Sequence, residues 1–452
     1  MGALLDAVQA VLPGIRDDLA ALVAIPSISA LEQHRADVER CAAAVAELLR
    51  AAGCPDVQIV RAARTDGTGL GKPAVIGRYS APDGAPTVCL YAHHDVQPAG
   101  DLALWSSDPW TITERNGRAY ARGVGDDKAG VAVHLAALRA FEGLPPVGVT
   151  VFVEGEEEIG SPSLANLLEE NHDLLRADVF VIADSGNWDV GAPAFTTTLR
   201  GLVDCTVEVR VLDHALHSGS FGGVAPDALT ALCRLLATLH DERGNVAIEG
   251  LRAGPGPDLD YPLDRLEAET GVLDGVGYLG DGPVVERLWT KPSATVLAID
   301  ATRVLDASNT LAPVARAKVS VRIAPDEDPA VAMQALTDHL LRHAPWGAQV
   351  LVTDGSQGAG SVIPFQGPVA DAARAAFTEA WGTEPVLIGQ GGSIPMVADF
   401  QRAFPEATVL VTAVCDPDSR AHGIDESLDL ADFATACLAE TLFLDRLRRG
   451  DA

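Results

Sequence analysis

The sequence predicts an α/β protein: a mixed, largely parallel sheet flanked by helices, with a smaller α+β domain inserted into the chain. Three observations predict it. At 452 residues the chain exceeds what one hydrophobic core usually supports. Short apolar runs alternate with helical segments in the first 200 residues, and the pattern changes character in the middle before resuming near the end.

Two amphipathic helices are predicted first, over about Leu4 to Val23 and Gln33 to Ala52, the second stopped by Gly53. Apolar runs follow at Ala74 to Tyr79, Val88 to Ala92, Val149 to Val153 and Val179 to Ala183. Helical segments such as Lys128 to Phe141 and Ser163 to Asn171 separate them. Uninterrupted apolar strands of this kind are buried on both faces, as parallel sheets require. The middle reads as a strand over Val203 to Val211, a helix over Pro226 to Leu239, strands near Ala294 to Asp300 and Ala315 to Ile323, and a helix over Pro329 to His343. Between these, the Gly/Asp/Pro-rich stretch from Gly250 to Gly282 reads as a long loop. The run GSQGAGS after Asp354 reads as a linker, and a helix over Val369 to Trp381 reopens the first pattern until a terminal helix near Leu430 to Leu447. The expected division is therefore a large discontinuous domain made of 1–198 and 356–452, interrupted by an inserted domain at 199–355; the catalytic role of the first and the lid and dimerisation role of the second are what the resemblance given below implies.

Composition excludes some partners. Thirty-three basic against 63 acidic residues give a formal charge of −30, which repels phosphate backbones and anionic membranes. No nucleic-acid or membrane role is expected, and no apolar stretch reaches membrane-spanning length. The amino terminus lacks the basic start and cleavage site of a signal peptide. Seven cysteines without a Cys-x-x-Cys pair indicate no disulfide framework, so a reducing cytoplasm is the expected location.

Three apolar runs lead into potential metal ligands: VCLYAHHD with His93 to Asp95, VTVFVEGEEE with Glu154 to Glu158, and VFVIADS with Asp184. In ARGVGDDKAG, Asp126 and Asp127 directly precede a helix, and His422 follows the apolar run Thr408 to Val414. Each has a plain reading by itself: a helix cap, a solvated acidic turn, a surface histidine. Their joint placement after successive strands favours one shared site, because open α/β sheets carry their sites at the strands' carboxyl ends.

These stretches resemble the M20 family of metallopeptidases, and most of all its dipeptidase branch of cytosolic nonspecific dipeptidases and carnosinases. The matching segments, in the family's order, are YAHHDVQP at 91–98, ARGVGDDKAG at 121–130, EGEEEIGS at 154–161, VIADSGNW at 181–188, LHSGSFGG at 216–223, SVRIAP at 320–325, GGSIP at 391–395 and AHG at 421–423. The resemblance implies a zinc-exopeptidase-like catalytic domain with two divalent cations per subunit. His93, Asp126 and Asp184 would hold one, and Glu158 and His422 the other, with Asp126 bridging both and a cis peptide bond just after it. Oxygen and imidazole donors suit zinc, with manganese or cobalt as options. Asp95 would orient His93 by accepting its other imidazole N–H. Glu157 would be the general base, and Glu156 a bystander.

The same resemblance implies a homodimer in which His217 stabilises the developing oxyanion of the other subunit's site. It makes Arg322 the clamp on a substrate carboxylate, with Asn309 and Ser393 contacting substrate. The expected reaction is hydrolysis of the amide bond of a dipeptide or similar substrate with a free carboxylate. The alternatives are a deacylase of N-acyl amino acids in the same family and a noncatalytic metal- or peptide-binding homologue. One departure bears on the choice. The family's dipeptidases usually carry Arg-Glu before Gly-Gly-Ser-Ile-Pro, and this chain carries Gly389-Gln390.

Overall fold

The computed structural model describes residues 2–392 and 395–449. The chain forms two compact units, one of residues Met1–Thr197, Ile363–Ile388 and Met396–Ala452, the other of Thr198–Val362 with Gly389–Pro395.

The first unit is built on a six-stranded sheet whose spatial order is Asp56–Val60, Ala74–Tyr79, Gly148–Glu154, Thr87–His93, Val179–Ile182, Thr408–Val411. The last four strands run parallel to one another, and the first two are antiparallel additions at one edge. Every residue of Gly148–Glu154 is buried, as a central strand covered on both faces demands. Asp56–Val60, by contrast, is mostly exposed, and its short β-branched run Val57, Ile59 and Val60 lies at the sheet's edge.

Helices Gly2–Val23, Lys128–Ala140, Pro368–Trp381 and Leu430–Arg449 pack with one another. Lys128–Ala140 is buried over its first eleven residues and also packs on the His93 strand. It begins at Asp127, whose carboxylate accepts the Gly130 N–H at 3.2 Å and caps one of the amides left open at a helix start.

The second unit is a four-stranded antiparallel sheet in the order Ser293–Asp300, Val314–Ile323, Gly201–Arg210, Gln349–Gly358. Helices Ala228–Ala237 and Pro329–Arg342 pack on it. The alternating burial of Val314–Ile323 records a sheet covered by helices on one face. Asp227 and Asp328 cap the two helices.

Two element readings are corrected. GSQGAGS is not simply a linker, because Gln349–Gly358 continues through its first four residues by pairing with Gly201–Arg210 across a register shift between Asp354 and Gln357. The stretch from Gly250 to Gly282 contains a helix, Leu263–Thr270, with Gly271 as its left-handed cap. Among the described residues no helix is long and apolar enough to cross a membrane.

Candidate metal centre

The four parallel strands carry their carboxyl ends in one direction, and the chemistry follows from what the chain does just beyond each. Thr87–His93 ends on His93 itself. Gly148–Glu154 leads through Gly155 to Glu157 and Glu158, on a short 3-10 turn. Gly155 has no room for a side chain, since a Cβ would lie 2.4 Å from the Pro73 carbonyl oxygen and 2.7 Å from the His94 ring. Asp184 lies two residues past Val179–Ile182, and His422 stands in the loop after Thr408–Val411.

These side chains meet in the first unit. The Asp126 carboxylate is shared between two imidazoles, with Oδ1 3.1 Å from His93 Nε2 and Oδ2 3.0 Å from His422 Nε2. Asp184 Oδ1 is 3.8 Å from His93 Nε2, and Glu158 Oε2 is 3.1 Å from His422 Nε2. Donor atoms of His93, Asp126 and Glu158 lie within 4.8 Å of one another, as do those of His93, Glu157 and Asp184. The peptide bond between Asp126 and Asp127 is cis. Of the two adjacent acids only Asp126 belongs to the cluster. Asp127 caps the helix and accepts the His93 main-chain N–H at 3.1 Å.

Charge explains the local pKa values. Burial opposes a protonated His93, but Asp184 and the neighbouring carboxylates outweigh it and hold the imidazole well above its usual range. Hydrogen bonds to Asp126 and Glu158 carry His422 up to about 10. Against the cost of burial, the same contacts from His422 and His93 hold the Asp126 carboxyl well below the ordinary carboxylate range. Burial pushes Glu157 far up, reinforced by the charge of Asp184, and raises Glu158 as well. The donor set fits divalent cations, because crowded carboxylate oxygens and imidazole nitrogens need positive charge among them.

Asp95 stands between His93 and the glutamate pair. His93 Nδ1 is 3.0 Å from the main-chain carbonyl of Asp95 and 3.5 Å from its carboxylate, so the nearer carbonyl takes the hydrogen bond and the carboxylate contributes charge. The carboxylate instead accepts the N–H groups of Glu157 and Glu158, each at 3.2 Å, and so fixes the backbone of the glutamate pair. Glu156 is buried outside the cluster, accepting from the N–H groups of Lys72 and Ser163, each at 2.8 Å.

His217, Asn309 and Arg322 lie in the second unit. A two-strand ladder pairs His217 with Thr310, and Ser218 donates its N–H to the Asn309 carbonyl at 2.9 Å, so His217 and Asn309 stand together although 92 residues apart in sequence. His217 is exposed, and its Nδ1 accepts the Gly219 N–H at 3.1 Å, which leaves Nε2 as the donor nitrogen of the neutral ring. Arg322 is half-buried on Val314–Ile323. Ser393 lies outside the described residues.

The sequence reading missed several supporting groups. Gln97 donates through Nε2 to Glu158 Oε2 at 2.8 Å and to the Glu158 carbonyl at 3.1 Å. The Glu426 carboxylate accepts N–H groups from the Asp126 loop, and Arg122 pairs with it. The loop of His422 takes left-handed backbone at Arg420, His422 and Asp425, of order 1 to 3 kcal/mol each for residues other than glycine, so it needs such anchors. Each stands four residues from a predicted ligand, Gln97 from His93, Arg122 from Asp126 and Glu426 from His422, but that spacing alone does not show which loops they join.

A cluster of acids and imidazoles gathered at the carboxyl edge of a parallel sheet defines a metallohydrolase. The chain belongs to peptidase family M20/M25/M40, whose model matches residues 89–446, and it is a metallopeptidase. It is 36% identical over 381 residues to a cysteinylglycine-S-conjugate dipeptidase of Corynebacterium striatum, covering 82% of this chain and 83% of that one. It is 28% identical over 442 residues to a beta-Ala-His dipeptidase of Rattus norvegicus, covering 89% and 86%. In fold it is similar to the di-peptidase Dug1p of Saccharomyces cerevisiae, with a TM-score of 0.83 at 24% identity over 99% of this chain and 98% of that one. It is also similar to human carnosine dipeptidase 1, with a TM-score of 0.82 at 24% identity, covering 99% and 98%.

Proposed function

We propose that this protein hydrolyses the amide bond of dipeptides with a free carboxylate, using two divalent cations, zinc first among zinc, manganese and cobalt. The observation that carries the reading is the Asp126 carboxylate, which offers one oxygen beside His93 and the other beside His422. His93, Asp126 and Asp184 would hold one cation, and Asp126, Glu158 and His422 the other. Bound there, the cations would acidify water toward neutral pH and polarise the amide carbonyl.

Glu157 accepts the proton of the attacking water and returns it to the leaving amine, while the remaining hydroxyl joins the carbonyl carbon. Its carboxylate suits that duty by position, with a donor atom within 4.8 Å of those of His93 and Asp184, beside the place the cations would hold the water. Asp95 keeps Glu157 and Glu158 in place through their backbone N–H groups. Arg322 binds the terminal carboxylate with a planar fork, and Asn309 and Ser393 complete recognition. The first unit is the catalytic domain and the second the lid and dimerisation domain.

The protein works as a homodimer, with His217 donating from Nε2 to the oxyanion in the partner's site. Support comes from Ser293–Asp300, an outermost strand that exposes Val296, Leu297 and Ile299, an edge suited to a second copy of the chain. A reducing cytoplasm suits the seven cysteines, all free thiols.

The test is Glu157→Gln. Two equivalents of zinc should remain bound while dipeptide turnover falls at least a hundredfold. Near-normal turnover would remove Glu157 as the base. A panel of dipeptides and N-acyl amino acids separates the dipeptidase from a deacylase.

A further inference from the structure

Four residues past His422, Glu426 is fully buried. Its Oε2 accepts the Gly123 N–H at 2.9 Å, and its Oε1 accepts those of Gly125 at 3.0 Å and Asp126 at 3.1 Å. Arg122, 1% exposed, donates to Glu426 Oε2 at 2.6 Å and, from its other terminal nitrogen, to the Gly423 carbonyl at 2.9 Å. The Ala121 N–H is bonded to the Glu426 carbonyl at 3.1 Å. One carboxylate and one guanidinium thus join the loop presenting Asp126 to the loop presenting His422, across some 300 residues of sequence.

We propose that Glu426, paired with Arg122, is a positioning residue that sets the spacing between the Asp126 carboxylate and the His422 imidazole before any cation binds. The proposal rests on the metal-centre reading above. A carboxylate is the side chain for this position, because three convergent N–H groups and a guanidinium all require acceptors and Glu426 supplies two oxygens to meet them. There is no space for a bulkier loop, since a Cβ on Gly125 would sit 2.8 Å from Cys415 Sγ and 3.7 Å from Glu426 Oε1. Groups behind metal ligands set cation affinity by fixing ligand geometry, typically by ten- to a hundredfold when removed. Glu426 also differs from a ligand, as its oxygens are already engaged by backbone and by Arg122.

The experiment uses the full-length protein, stripped with a chelator and titrated with zinc against a chromophoric competitor, comparing wild type with Glu426→Gln. The amide keeps the shape but turns a donor toward the loop's own N–H groups, and zinc affinity should fall ten- to a hundredfold in protein whose circular dichroism stays native. A residue serving stability alone would lower the unfolding midpoint and leave zinc affinity of the folded protein unchanged, within twofold. That result would overturn the proposal. If wild type itself bound no zinc, the metal-centre reading would fail instead.

A second measurement needs no variant. In chelator-treated wild type, hydrogen exchange of the peptide spanning 121–127 should show the Gly123, Gly125 and Asp126 amides protected. Free exchange that becomes slow only on adding zinc would mean that the cation orders the loop, and would equally overturn the proposal.

Discussion

His134→Leu should destabilise the protein by about 4 kcal/mol. His134 is wholly buried on Lys128–Ala140, and both ring nitrogens face acceptors: Nδ1 lies 2.9 Å from both Glu440 oxygens, and Nε2 lies 3.0 Å from the Tyr91 carbonyl. A ring donating from both nitrogens is an imidazolium. Burial works against that charge, yet Glu440 outweighs it and raises the pKa. Leucine would leave the Glu440 side chain, 5% exposed, as a buried charge without its partner. Breaking a buried pair from one side costs about 3 to 5 kcal/mol, against roughly 5 to 15 for a whole domain. Guanidinium denaturation at pH 6 followed by circular dichroism measures the loss. His134→Leu/Glu440→Leu should recover most of it, because removing both ions leaves no orphaned charge. The sign with pH follows from the raised pKa. The pair's contribution is complete below the unfolded value of about 6.5 and fades as pH rises through the higher folded value. A single variant losing less than about 1 kcal/mol at pH 6, or a double variant no better than the single, would refute the imidazolium.

Mixing His217→Ala chains with Glu157→Gln chains should restore activity in the mixed dimer, where one site regains both groups; verified mixed dimers without activity would place His217 outside the partner's site. Arg322→Lys should raise KM for dipeptides about tenfold, the loss of about 1.4 kcal/mol, with kcat little changed, since a point charge replaces a planar fork. An unchanged KM would remove Arg322 from carboxylate binding.

Much of the first unit could be read from sequence because its ligands follow apolar runs by only a few residues. His93 closes VCLYAH, Glu157 and Glu158 follow VTVFVEG, and Asp184 follows VFVIA, so finding the strand locates the ligand. Arg122 and Glu426, separated by 304 positions, have no such signature, because their pairing is created by the fold and neither belongs to an apolar period. Asp95 illustrates a finer limit. The resemblance pointed its carboxylate at the imidazole, and the carboxylate, 3.5 Å from that ring, also accepts two N–H groups on the 3-10 turn of Glu157, which no sequence pattern announced. Exposed outer strands escaped for a related reason. Asp56–Val60 is held by its ladder with Ala74–Tyr79, and Gln357 and Gly358 by theirs with Gly201–Arg210, so long-range pairing overrides local composition.

Five carboxylates, those of Asp95, Asp126, Glu157, Glu158 and Asp184, surround only two imidazoles, and this imbalance ties the centre to folding as well as to chemistry. Burial has already raised Glu157 and Glu158, which marks the cost of keeping so much negative charge out of water. Cations that bind the assembled cluster and not the unfolded chain add stability of about 2.7 kcal/mol per site when free cation is at a hundred times Kd. Two sites would together add about 5 kcal/mol, comparable to the stability of a small domain. Dialysis against a chelator should therefore lower the thermal midpoint, and zinc should restore it in steps that follow its concentration. Asp126→Asn should lose most of that zinc dependence, because the carboxylate that lies 3.1 Å from His93 and 3.0 Å from His422 is gone. A midpoint indifferent to zinc in the unsubstituted protein would mean that the acids are stabilised by something other than a metal.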